Sequence, residues 1–166
     1  MKTNKSAVLP LFNAIIIFVM AIIFIGILLS FAISYFNNLT DLKKMEINKN
    51  NLLTIYNSIY DIKSKEAGSY ENIYLDAIDF IEIDSNDNTL IIKQKINNEL
   101  LNKIREETTN SISISKENNE IVFNLDINSI CDINRSYVLG LGKQELKIEI
   151  DSKTDSRARI DISRVN

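Results

Sequence analysis

The densest set of oxygen-bearing side chains in the sequence is Asp84-Ser85-Asn86-Asp87-Asn88. Carboxylates and amides at such close spacing suit a hard cation such as calcium. The run lacks the central Gly and the distal Glu of an EF-hand loop, and it lies between Ile83 and Leu90, so it reads as a solvated hairpin turn. Asp76, Asp79, Glu82 and Asp84 read as wet-face carboxylates of a strand. The chain has one cysteine, Cys131, so no internal disulfide can form; an inert, half-buried side chain is expected. There is no histidine, which removes the commonest general base and the commonest metal ligand together. Gly140 and Gly142 flank Leu141, but no third Gly follows and no helix is expected after them, so they make no nucleotide loop. These residues predict no catalytic set, no cofactor and no metal. The chain is not expected to be an enzyme.

Two short patterns bear on modification. Asn38-Leu39-Thr40 and Asn134-Arg135-Ser136 match the N-glycosylation acceptor, which suits an extracytoplasmic location.

The elements that carry these residues are set by the distribution of charge. No charged residue occurs between Lys5 and Asp41. Lys2 and Lys5 take two of the 19 basic residues, so the part from Asp41 onward has 17 against 22 acidic ones, a net of −5. That surface argues against nucleic-acid binding, which needs a basic face. Residues 7–36 form an apolar run with only Asn13, Ser30, Ser34 and Tyr35 clearly polar. A bilayer core about 30 Å thick needs about 20 such residues as a helix. The run exceeds the roughly 7–15 apolar residues of a removable secretory signal, so a retained anchor is expected. The lysines before the span favour a cytoplasmic N-terminus and an extracytoplasmic domain. Tyr35 and Phe36 stand where an interfacial aromatic belt belongs.

The start of this span, Lys5-Ser6-Ala7-Val8-Leu9-Pro10-Leu11, joins a short basic leader to a small-apolar-x-Pro-apolar opening. In this it resembles the N-terminus of archaeal type IV pilin-like proteins. The resemblance covers about the first 40 residues. It implies cleavage of the class III signal peptide after Ser6, leaving Ala7 as the new N-terminus, with a cut after Lys5 as the near alternative. It also implies that the hydrophobic stretch stays in the mature chain and packs in a filament core. Ser6 stands where Gly or Ala is usual, and Leu11 occupies the place of the bacterial Glu. Pro10 is tolerated near a helix start, and Asn13 offers a hydrogen bond to a neighbouring helix.

After Phe36, Leu42, Met45, Leu52, Leu53, Tyr56, Ile59 and Tyr60 recur at spacings of three, four and seven. The clearest stripe is Leu52, Leu53, Tyr56, Ile59 and Tyr60. Gly68 supplies the stop, and the asparagines at 37–38 and 48–51 are places for a break. From Tyr70 the period becomes two. Leu90–Ile96, Ile112–Ile114, Ile121–Ile127, Leu146–Ile150 and Ala158–Ile162 read as strands with one buried face. Residues 97–107 allow a short helix, and 128–143 read as a loop.

The organisation expected is a leader at 1–6, a transmembrane helix at 7–36, an amphipathic helix at 37–67 and an antiparallel β-rich domain at 68–166. The fold class is α+β: a long N-terminal helix, half membrane-spanning and half amphipathic, packed on an antiparallel sheet of about five to seven strands. Two functions fit. One is a membrane-anchored structural or assembly subunit, self-associating or joining other pilin-like subunits in a surface filament. The other is a single-pass, membrane-tethered extracytoplasmic β-domain that binds a ligand or partner protein.

Overall fold

The computed structural model describes the main chain of residues 5–109, 111–154 and 157–165, with side chains described from residue 12 onward. The chain divides into two units, Met1–Thr40 and Asp41–Asn166. One helix, α1 (Lys5–Ile62), contributes to both. In the first unit, beyond Lys5, it is a run rich in Ile, Phe, Leu and Ala without charge. A helix is the form in which such a segment satisfies its own backbone without water.

In the second unit α1 is followed by β1 (Tyr70–Ala77), β2 (Ile81–Asp84), β3 (Thr89–Lys95), α2 (Asn98–Lys103), β4 (Glu107–Thr109), β5 (Ile112–Glu117), β6 (Glu120–Asp126), β7 (Cys131–Ile133), β8 (Tyr137–Leu139), β9 (Gly142–Lys153) and β10 (Ala158–Arg164). The strands form two sheets, not one. The first has the order β1-β9-β10-β7 and the second β4-β5-β6-β3-β2-β8. Every pair is antiparallel except β7 with β10. The architecture is α+β, with the helix packed on antiparallel-rich sheets and, among the described residues, a single candidate membrane span.

Turn chemistry explains the hairpins. Asn118 and Asn119 both take positive φ, 44° and 67°, which makes the two-residue β5–β6 connection a primed turn. Between β2 and β3, the Asp84 carboxylate accepts a hydrogen bond from the Asn86 N–H (2.8 Å), and Asn88 closes the turn at φ 53°. The oxygen-rich run is thus a hairpin turn, in register from Asp84 to Thr89.

The core lies between α1 and the alternating inner residues of both sheets. Leu52, Ile55, Ile59 and Ile62 are fully buried with Ile81, Ile83, Phe123 and Ile148. The helix therefore turns a different stripe inward than its apolar spacing predicts. Ile55 and Ile62 belong to the core, Leu53 and Tyr56 lie at its margin, and Tyr60 is 52% exposed. Asn48, Asn51 and Ser58 are polar yet buried on the same face.

Three further expectations are corrected. The asparagines do not break the helix, because Asn48 and Asn51 spend their amides on partners outside it. The helix ends at Ile62, before the expected stop; Gly68, at φ +85°, instead turns the chain into β1, its N–H donating to the Ile150 carbonyl. Residues 128–143 contain β7 and β8, each three residues long and too short to show a period of two.

Candidate functional site

In the first unit the large apolar side chains from Phe12 to Phe36 are exposed, Ile17 by 69% and Phe31 by 72%. By length and composition the helix suffices to cross a membrane, and none of its most apolar stretch is buried inside the protein. Asn13 is exposed on this surface. Ser6, Ala7 and Pro10 lie in the first turns of α1, and their side chains are outside the described residues, as are Met1–Asn4 altogether. At the other end, Tyr35 and Phe36 are exposed with ring centroids 6.2 Å apart, edge to face. Tyrosine and phenylalanine at the end of such a run suit the headgroup level of a bilayer. The Thr40 hydroxyl donates to the Phe36 carbonyl at 2.9 Å.

The second unit opens with a polar clasp. Asn48 is fully buried, and its amide donates to the Asp79 carboxylate (2.9 Å) and to Gln94 Oε1 (3.0 Å). Gln94, itself buried, donates from Nε2 to the Asp41 carbonyl at 3.0 Å. The Asp41 carboxylate accepts from the Asn97 N–H, just ahead of α2. Asn51 donates to the carbonyl of Asp76 on β1 (3.0 Å). Residues 41–51 of the helix are thus held to the sheets by hydrogen bonds, and residues 52–62 by apolar packing. The sequence carried a signal for this: Asn48 falls in the row of Leu52, Ile55, Ile59 and Ile62 at spacings of three and four.

No family model, curated protein or solved structure matches this chain.

Elsewhere in the second unit, polar side chains tie turns and strands together. Among the described residues no group of three or more histidine, cysteine, aspartate or glutamate side chains could hold a metal ion. Asn88 Oδ1 accepts from the Ile133 N–H (2.7 Å), and its Nδ2 donates to Asp132 (3.2 Å). Arg157 pairs with Asp132 at 2.9 Å and donates to Asn128. This knot joins the β2–β3 turn to β7 and the β9–β10 connection. Cys131 beside it is fully buried rather than half-buried. Burial, and secondarily the Asp132 carboxylate, push its thiol up to about 12, against the pull of Arg157 and Lys63. A thiol held neutral is no nucleophile.

The two acceptor patterns sit in different settings. Asn38 lies within α1, half-buried, with its side-chain oxygen shielded and without a hydrogen-bond partner among the described residues. Asn134 lies between β7 and β8, and its N–H donates to the Ile160 carbonyl. The Ser136 hydroxyl accepts from the Ser85 N–H (3.0 Å) and pairs with the Ser85 hydroxyl (2.8 Å).

Proposed function

We propose that this chain is a membrane-anchored structural or assembly subunit resembling a type IV pilin, with the β-rich unit outside the cytoplasm. The observation that carries the reading is α1 itself. One unbroken helix supplies an uncovered apolar surface over residues 12–36 and a core stripe over residues 48–62. A simple tether needs no helix that also builds the domain core. Helical anchors of this kind associate through close packing and through polar groups such as Asn13.

Pro10 supports the processing step. With α1 beginning at Lys5, Pro10 falls beyond the first turn, where a proline's missing N–H leaves the carbonyl four residues before it without its helical partner. If the mature chain begins at Ala7, Pro10 is the fourth residue, and the first four N–H groups of a helix are unpaired in any case. Cleavage after Ser6 therefore relieves the helix of an interior proline.

The deciding experiment is mass spectrometry of the chain recovered from a membrane fraction. A mature N-terminus at Ala7, or at Ser6, is expected. An intact Met1 or an N-terminus beyond Phe36 refutes the pilin-like reading and leaves a tethered binding domain. Ile22→Lys combined with Ile23→Lys and Phe24→Lys provides a second check. Lysines at the centre of the span cost about 3 kcal/mol each on insertion scales, and the three together are expected to move the protein out of the carbonate-resistant membrane pellet.

A further inference from the structure

The two sheets have four edges, and they are unequal. β4, β7 and β8 are three residues each. β1 is eight residues long and runs in unbroken register with β9 from Tyr70↔Glu149 to Ala77↔Gly142. Natural edges are blunted by shortness, proline, lysine or a bulge. β1, Tyr-Glu-Asn-Ile-Tyr-Leu-Asp-Ala, has no proline, lysine or bulge; its two charges are Glu71, half-buried on the face of Ile73, and Asp76 near its end.

Hydrogen bonds at its ends show which groups face outward. The Ile150 N–H donates to the Ser69 carbonyl, so the odd-numbered residues of β1 face β9. On the other side of β9, the Glu145 carbonyl accepts from Val165, which fixes the same alternation. Tyr70, Asn72, Tyr74 and Asp76 therefore point their N–H and C=O groups away from the sheet. The Asp76 carbonyl is already taken by Asn51. The main-chain groups of Tyr70, Asn72 and Tyr74 have no hydrogen-bond partner among the described residues. The unpaired stretch is centred on Asn72.

We propose that this edge is a strand-pairing interface, and that its occupant is β1 of a second copy, antiparallel about a two-fold axis at Asn72. In that register Asn72 lies opposite Asn72 of the second copy, and Tyr70 lies opposite Tyr74. About six main-chain hydrogen bonds form, and all the free groups of the stretch are used. No like charges meet: Glu71 lies opposite Ile73, and Asp76 falls beyond the paired stretch. Tyr70 and Tyr74, 59% and 74% exposed on the wet face, become a cross-strand aromatic pair. Tyr74 is held for this by its hydrogen bond to Glu145 (2.9 Å), and the Tyr70 ring by Lys147 above it. The two four-stranded sheets merge into one of eight. This interface is built by the β-rich unit and does not depend on the leader or on helix packing.

The test uses the full chain in nonionic detergent under mild oxidation. Facing residues of a hydrogen-bonded antiparallel pair have Cα atoms about 5.5 Å apart, within disulfide range. Asn72→Cys is expected to form a covalent dimer on the order of tenfold more than Tyr74→Cys, whose two copies would stand about 14 Å apart. Equal cross-linking at the two positions, or none at 72, overturns the proposal. Asn72→Lys keeps every main-chain bond to β9 and loses only the exposed 3.4 Å side-chain bond to Glu145; it places two ammonium groups face to face and is expected to convert the dimer to monomer by native mass spectrometry. Asn72→Pro removes an outward N–H and is expected to do the same. Association unaffected by both substitutions also overturns the strand interface. It would point to pairing through α1 and leave the pilin-like reading standing.

Discussion

Asn48→Ala measures what the polar clasp contributes. The substitution removes a hydrogen bond to the Asp79 carboxylate and one to Gln94. A bond to a charged group is worth about 1.5–3 kcal/mol and a neutral one about 1 kcal/mol. Gln94 is 1% exposed, so its Oε1 is left buried and unpaired. Two gains offset the loss. Alanine is better than asparagine in a helix by about 0.6 kcal/mol. The Asn48 side-chain oxygen, which has no partner, is also removed, at a gain of about 1 kcal/mol. The net expectation is a loss of about 2 kcal/mol. Urea unfolding of the full chain in nonionic detergent reads it through tyrosine emission, since the chain has no tryptophan. With a slope of about 1–3 kcal/mol/M, the midpoint should fall by about 1–2 M. The double variant Asn48→Leu/Gln94→Leu removes both partners and should recover most of that loss, because Asp79 is half-buried and can turn to water. A midpoint shift below about 0.3 M for the single variant would refute the reasoning. So would a double variant that loses the sum of its parts.

Other outcomes follow from the same structure. Ile59→Ala should cost about 2–5 kcal/mol and Tyr60→Ala less than about 1 kcal/mol, as read by the same urea titration. Cys131 has its folded pKa raised above the ordinary 9.0, so the stability it lends is complete below pH 9 and is lost as pH climbs toward 12. By pH 11 that loss should be roughly 2–3 kcal/mol relative to Cys131→Val, and native protein at pH 8 should resist maleimide until urea opens it. Asn88→Gly keeps the positive φ but loses the bond to Ile133, at a cost of about 1–2 kcal/mol. Asn88→Ala adds backbone strain and should lower the thermal midpoint further.

Where the sequence was legible, one strong physical preference ruled. The charge-free run from Ala7 to Phe36 has a single comfortable solvent, and the alternation of Ile121, Phe123 and Leu125 has a single comfortable geometry. The turn at Asp84–Asn88 was readable for the same reason. Legibility failed where two preferences competed. Tyr60 and Ile59 are both apolar neighbours on the helix, and only the position of the sheets decides which is buried. Asn48 reads as a poor helix former, yet Gln94 and Asp79, far along the chain, turn it into an anchor point. The split into two sheets depends on β1 choosing β9 rather than its neighbour β2, a choice between strands of similar pattern. For the clasp, the row of Asn48 with Leu52 and Ile55 was visible, but its partners were not.

The pairing of β1 with β9 has a bearing on how the protein is made. Tyr70 meets Glu149, so the first sheet stays open until the chain has been made and released about 80 residues past the start of β1. At about 5–20 residues per second the interval is on the order of ten seconds. Throughout it, Leu52, Ile55, Ile59 and Ile62 have no lid on that side, and the long apolar run ahead of them is already made. A nascent chain in this condition needs a holdase or a translocase that keeps it extended, and cells short of that helper should accumulate it as aggregates rather than as a misplaced but folded product.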